Sequence, residues 1–356
     1  MYKIVTFGEL LLRFSKNDHL RLSQGDYFTS KYGGSEANVA VSLATLNNNV
    51  QFVTRLPDTP VGHAGVQNLM QLGVDCRHVQ FGGSRIGTYY MEPAAGMRSA
   101  KVIYDRAGSA CSELQPGMIP WREILKDASV LHVSGITPAI SKSSADATFE
   151  ALDIADEMGV KVAFDINYRK NLWQYGADPR ETLKKVLSRC DMMFGDAIEF
   201  EWICQRQQPP FTATDSSFQM QMKEYQEWFE ELHATFPRCK KWLMGMRNMV
   251  ASSHHLLTAL LYTYNDTTNE YQLLKSPIND INGVVDPSGV GDAFMAGLLH
   301  AIHAYPNDSQ RQVNYALAAS TLKNTIPGDF NLASDEEIQT IENHYYNQNK
   351  IYKNYE

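Results

Sequence analysis

Short apolar runs bounded by turn residues recur at residues 3–7, 130–133, 160–164, 192–194 and 242–244, and helix-period segments separate several of them. Parallel strands cannot be joined by a tight turn and need a crossover, usually a helix. The rhythm therefore predicts an α/β fold around a mainly parallel sheet. Residues 141–158 carry the pattern most fully. Ser141, Ser143 and Ser144 are N-cap candidates, the body is rich in Ala, Leu and Glu, and Gly159 supplies the stop. At 356 residues, one large domain with an appendage is expected.

Two stretches break the alternation, residues 10–32 and 85–104, where Gly87-Thr-Tyr-Tyr-Met-Glu92 and Ser99-Ala-Lys-Val-Ile-Tyr104 read as short antiparallel strands. They are either ordinary edge hairpins or a small sheet projecting from the main body. Residues 205–222 are polar and contain Pro209-Pro210, so a surface loop is expected there, followed by a helix from about 220 to 235. The Asn- and Tyr-rich end of the chain reads as a polar tail over 341–356.

A net charge of −8 argues against a nucleic-acid or anionic-membrane surface, which would call for clustered Lys and Arg. Any anionic ligand must then be held by a local site. The five cysteines form no Cys-x-x-Cys pair, which favours buried, reduced thiols. The first residues enter a strand at once, without the features of a secretory signal, and no run approaches a membrane span, so a cytoplasmic protein is expected.

The segment Gly289-Val-Gly-Asp292-Ala-Phe294 is a glycine-rich turn opening a helix, with Phe294, Gly297, Leu298, Ala301 and Ile302 at helical spacing. The free N–H groups of such a helix start, at the positive end of its dipole, suit an anion in transit. Asp292 in the first turn is either a favourable partner for that dipole or a general base. A base beside an anion hole can take a hydroxyl proton while the same helix end neutralises developing charge. No Gly-x-Gly-x-x-Gly turn follows the first strand, and no Walker phosphate loop occurs, so neither a dinucleotide fingerprint nor a P-loop is present.

Asp286-Pro-Ser-Gly-Val-Gly-Asp-Ala-Phe294 resembles the C-terminal signature of the ribokinase-like, or PfkB, carbohydrate kinases. Pro287, Ser288 and Val290 depart from its usual residues, while Asp286, Gly289, Gly291 and Asp292 are retained. Tyr32-Gly-Gly-Ser-Glu-Ala-Asn-Val-Ala40 resembles the family's N-terminal glycine pair and following helix. The resemblance runs from Gly8-Glu9 to about Asn331. It narrows to the 2-keto-3-deoxygluconate kinases through Arg85-Ile-Gly-Thr-Tyr-Tyr-Met-Glu92, Tyr104-Asp-Arg106, His132-Val-Ser-Gly-Ile136, Asp165-Ile-Asn-Tyr-Arg169 and Thr325-Ile-Pro-Gly-Asp-Phe-Asn331.

The resemblance implies a three-layer α/β/α kinase domain over 1–340, with lid strands from about 10–32 and 85–106. Asp292 would be the base, and Gly289, Val290 and Gly291 the anion hole. Glu9, Gly33, Gly34, Asn38, Tyr89, Tyr90, Tyr104, Arg106, Ile136, Asp165, Asn167 and Arg169 would face the sugar. Arg106 and Arg169 suit a carboxylate, which a neutral sugar lacks. Asp165 reads equally as a turn former at a strand end. ATP would meet Asp196, Arg247, Gly289, Gly291, Asn324 and Gly328. Magnesium would be organised by Glu199 through water, with Asp196 replacing the family's Asn. The alternative for Asp196 and Glu199 is an acidic pair at a helix start. A monovalent cation is a further candidate cofactor. A homodimer through the projecting sheet, or a higher homo-oligomer, is expected. Phosphorylation of a neutral keto sugar such as fructose or ribose, and a kinase-derived sugar sensor, are the competing functions.

Overall fold

The computed structural model describes residues 2–265 and 267–343. Most of the tail expected over 341–356 lies outside the described residues. The strands are β1 (Lys3–Phe7), β2 (Leu11–Ser15), β3 (Thr29–Gly33), β4 (Asn49–Val53), β5 (Arg55–Leu56), β6 (Gln80–Phe81), β7 (Gly87–Glu92) and β8 (Lys101–Asp105). They continue as β9 (Val130–Ser134), β10 (Lys161–Asp165), β11 (Met192–Asp196), β12 (Lys241–Ala251), β13 (His254–Asn265), β14 (Glu270–Lys275) and β15 (Asn279–Asn282). Helices α1 (Ser35–Thr45), α2 (Pro60–Gln71), α3 (Trp121–Leu125), α4 (Thr137–Ile140), α5 (Lys142–Met158) and α6 (Pro179–Leu187) alternate with them. The later helices are α7 (Ala197–Cys204), α8 (Met222–Thr235), α9 (Val290–Ala304), α10 (Ser309–Lys323) and α11 (Asp335–Ile341).

The main sheet runs β14-β13-β12-β11-β10-β9-β1-β4, with β15 also paired to β13. Its pairs from β4 through β12 are parallel, and those of β13 with β12, β14 and β15 are antiparallel. The alternation of side chains in each strand divides the apolar interior into two cores. Val5, Phe7, Val162, Phe164, Met193, Trp242 and Met244 face one core, shared with α5 to α8. Ile4, Ala163, Met192, Phe194 and Leu243 face the other, shared with α1, α9 and α10. Helices thus cover both faces of the sheet.

The expected helix after Ser141 is α5, and of its three serines it is Ser141 whose Oγ accepts the Ser144 N–H at 3.0 Å. Gly159 closes it with φ 69°. A second, four-stranded sheet has the order β3-β2-β7-β8, with β2 and β7 parallel and the outer pairs antiparallel. The two stretches that interrupt the sequence rhythm are therefore one sheet and not separate edge hairpins. Among the described residues no helix is long and apolar enough to cross a membrane. All five cysteines are free, and Cys76, Cys111, Cys190 and Cys239 are buried.

Candidate active site

Parallel strands of one sheet present their carboxyl ends on one edge, where open α/β sheets take ligands. Here that edge gathers Glu9 after β1, Ile136 after β9, Asp165 at the end of β10, Asp196 at the end of β11 and Arg247 on β12. Together with the small sheet and the start of α9 they line a cavity of about 720 Å³. Of the residues singled out in the sequence, Gly34, Asn38, Tyr89, Tyr104, Arg106, Asn167, Arg169, Glu199, Gly289, Val290, Gly291 and Asp292 line it too.

Gly289 is the N-cap of α9 and adopts φ 75°, a left-handed conformation that glycine tolerates. No side chain caps this helix. Its first N–H groups have no intrahelical acceptor, and Gly289, Val290 and Gly291 line the cavity. A Cβ on Gly289 would lie 2.0 Å from the Asp329 carbonyl oxygen, so the loop can pass only with glycine there.

Asp292 is held by two neutral donors. Ser35 Oγ donates to Oδ1 and Asn38 Nδ2 to Oδ2, each at 2.7 Å. Burial pushes the Asp292 carboxyl above its ordinary range, and these two hydrogen bonds only partly offset it. Ser35 also accepts from Asn167 Nδ2 at 3.0 Å, and Asn167 in turn donates to Asp165 Oδ2 at 3.1 Å. Asp165 is raised as well, by burial first and then by Glu199 and Asp292. Ser35 was not singled out in the sequence. Its position directly after Gly33-Gly34, at the first turn of α1, was the available signal.

Glu9 and Arg106 are joined inside the protein. The Arg106 guanidinium donates through Nε and Nη2 to Glu9 Oε2, the former at 2.7 Å, and Ser109 Oγ donates to Oε1. Arg106 therefore brings a largely neutralised charge to the cavity. Arg169 is freer, with 45% of its side chain exposed and the Glu199 carboxylate 3.9 Å away.

Asp196 and Glu199 form a capping box at the start of α7, with Glu199 N donating to Asp196 Oδ1 at 2.8 Å and Asp196 N to Glu199 Oε2 at 3.0 Å. Glu199 Oε1 also accepts the Tyr168 N–H at 2.7 Å. Burial, then Asp196, push the Glu199 carboxyl up to about 7. The acidic pair at a helix start is thus real. Among the described residues no cluster of three or more His, Cys, Asp or Glu is placed to hold a metal.

Four sequence expectations fall elsewhere. Tyr90 is on the opposite face of β7 from Tyr89 and packs against Phe14, with ring centres 5.6 Å apart, because successive strand residues point to opposite sides. Asn324 is fully buried after α10 and its side chain donates to the Ser320 carbonyl at 2.9 Å. Gly328 donates its N–H to Asp286 Oδ2 at 2.9 Å and stays out of the cavity wall. Gly33 backs onto Asp329, where a Cβ would come within 2.6 Å of the carboxyl carbon.

A second ionic group behind the loop escaped sequence reading because its members are far apart in the chain. Arg13 on β2 donates to Asp286 Oδ2 at 2.8 Å and to Asp329 Oδ2 at 2.9 Å. The Tyr89 hydroxyl donates to Asp329 Oδ1. Burial opposes it, but Arg13 and then Lys323 hold the Asp286 carboxyl below the usual range.

Comparison with known proteins gives the family. The model of the pfkB family of carbohydrate kinases matches residues 1–331. A 2-dehydro-3-deoxygalactonokinase of Haloferax volcanii is 27% identical over 342 residues, covering 95% of this chain and 96% of that one. A 2-dehydro-3-deoxygluconokinase of Bacillus subtilis is 25% identical over 299 residues, covering 84% and 82%. The crystal structure of a 2-dehydro-3-deoxygluconokinase from Thermotoga maritima superposes with a TM-score of 0.85 at 34% identity, covering 96% of this chain and 100% of that one. With its parallel sheet, its small second sheet and its uncapped helix beside a buried aspartate, this chain belongs to the pfkB family of carbohydrate kinases.

Proposed function

We propose that the chain transfers the γ-phosphoryl group of ATP to the primary hydroxyl of a 2-keto-3-deoxy sugar acid, with 2-keto-3-deoxygluconate and its 6-phosphate as substrate and product. The observation that carries this reading is the Asp292 carboxylate, raised by burial and held by Ser35 and Asn38, within the first turn of an uncapped helix that lines the cavity. Asp292 takes the hydroxyl proton, and the N–H groups of Gly289, Val290 and Gly291 receive the charge of the phosphoryl group. Arg247 on β12 reaches the same cavity and suits the triphosphate. Magnesium would balance phosphate charge, and Glu199 is the residue that would help hold it, indirectly through water.

Arg169 is the residue best exposed to meet a sugar carboxylate. The pairing of Arg106 with Glu9 favours a second reading, a neutral keto sugar, because a guanidinium already neutralised has little to gain from another carboxylate. The small sheet serves as a lid, with Tyr89 and Tyr104 over the ligand. Its strand β8 turns Val102 and Tyr104 to the cavity and exposes Ile103 on the opposite face, which a second copy of the chain would cover.

Measuring ADP release across keto-deoxy acids and neutral keto sugars, beside Asp292→Asn, tests the reading. Acids are expected to turn over, and Asp292→Asn to lose at least about 10²-fold in kcat. Turnover of neutral sugars alone would remove the acid assignment, and a near-normal variant would remove Asp292 as base.

A further inference from the structure

Lys323 is the last residue of α10, and none of its surface reaches solvent. A buried ammonium is costly unless paired and hydrogen-bonded. Its Nζ donates to the backbone carbonyls of Asp286 at 3.2 Å and Ile326 at 2.8 Å. The charged groups facing it are the Asp286, Asp329 and Asp292 carboxylates and the Arg13 guanidinium. Because Arg13 bridges Asp286 and Asp329, two cations and two carboxylates balance one another behind the 286–291 loop.

The end of α10 grips that loop at further points. The N–H groups of Val285 and Asp286 donate to the Asn324 carbonyl at 2.8 and 3.2 Å, and Ser320 Oγ donates to the Val290 carbonyl at 3.2 Å. A lysine that served packing alone would have no need to place its charge on carbonyls of the loop that opens α9. Here the ammonium ties that loop to the 326–329 turn, and the turn in turn carries Asp329, whose carbonyl sits against Gly289.

We propose that Lys323 is a positioning residue for phosphoryl transfer: its ammonium is a built-in cation that fixes the 286–291 backbone so that the N–H groups of α9 meet the transferred group, and it leaves no task there for a monovalent metal ion. The inference rests on the anion-hole reading and is independent of which sugar is bound. The Asp286 and Ile326 carbonyls are oxygens that a cation behind this loop could use, and Lys323 already holds both.

Burial lowers the Lys323 pKa to about 8. The loop therefore loses its cation as pH rises through about 8. The sign for folding is opposite. Between about 8 and the ordinary lysine value the unfolded chain binds the extra proton, so this group's contribution to stability rises with pH. A fall in rate over that window, in protein that still melts as a folded chain, reports the loop and not unfolding.

The experiment measures kcat, KM for ATP and thermal melting from pH 6 to 10 for the wild type and Lys323→Met, in potassium, sodium and tetramethylammonium buffers. The wild type is expected to lose kcat through about pH 8 and to be indifferent to the cation. Lys323→Met is expected to lose about 10²-fold in kcat, as misplacement of catalytic groups does, with a smaller change in KM and no alkaline limb near 8. Methylammonium added to Lys323→Ala is expected to restore part of the rate. A near-normal kcat in Lys323→Met, an alkaline limb it leaves unmoved, or a potassium requirement in the wild type would each overturn the proposal. Should Lys323→Met fail to fold, the wild-type pH and cation profiles decide alone. A large loss in Asp292→Asn beside an unaffected Lys323→Met overturns this inference and spares the anion-hole reading.

Discussion

Asp286 and Asp292 stand at the two ends of one short loop, both nearly buried, and their carboxyls are driven in opposite directions. Asp286 is surrounded by cations, Arg13 bonded to its carboxylate and Lys323 to its carbonyl, and its carboxyl is held below the usual range. Asp292 is hydrogen-bonded by the neutral donors Ser35 and Asn38, the Arg169 charge adds a weaker pull, and burial outweighs them and raises it. Depth of burial is therefore not what separates a fixed charge from a proton acceptor. The charge of the hydrogen-bond donors is.

The comparison is broken most severely by removing the shared cation. Arg13→Met leaves two buried carboxylates with half their compensation, and a stability loss of about 3–5 kcal/mol by urea denaturation is expected. A change within about 0.5 kcal/mol would show that the cluster is not coupled to folding. Asp292→Asn should leave stability near or above wild type, since an unfavourable buried charge disappears, while kcat drops at least about 10²-fold. Gly289→Ala should cost about 1–3 kcal/mol by thermal melting, because φ 75° is strained for alanine and its Cβ would strike the Asp329 carbonyl.

The smallest effect sharpens the comparison. Ser35 lowers the Asp292 pKa, so Ser35→Ala should raise it and move the acid limb of kcat to higher pH. The shift should be under about one unit, since one hydrogen bond is worth about 1 kcal/mol and a pKa unit about 1.4 kcal/mol. A limb that moves to lower pH would mean that Asp292 is not the group titrating. For stability the two aspartates also part. The depressed Asp286 contributes stability above its unfolded value near 3.9 that is lost as pH falls through its folded pKa, whereas the raised Asp292 gains protons on folding and disfavours unfolding as pH drops.

The sequence discloses what is local. The strand rhythm predicts the parallel half of the sheet, and Gly289 to Asp292 predicts a glycine-capped helix with a carboxylate in its first turn. The antiparallel strands β13 to β15 escape that rhythm, since they follow β12 with no crossover helix between them. Arg13, Asp329 and Lys323 were illegible for another reason. Their meaning arises only when residues some 300 positions apart meet, as Arg13 and Asp329 do. Tyr90 was legible and misread: strand parity alone places it opposite Tyr89.

That parity reaches beyond single side chains. Each parallel strand feeds one core with its even positions and the other with its odd ones, and β1, β9, β10 and β11 then deliver a site residue at or just after their carboxyl ends. Deleting one residue within β10 would exchange Phe164 and Ala163 between cores and carry Asp165 to the wrong side. A lineage of such chains can change the length of exposed connections such as residues 214–217, while a single-residue insertion or deletion in a central strand would reverse the faces of all that follows it. Its tolerated length variation should then map to the connections, and the spacing from each strand to its site residue should be the most tightly inherited distance in the chain.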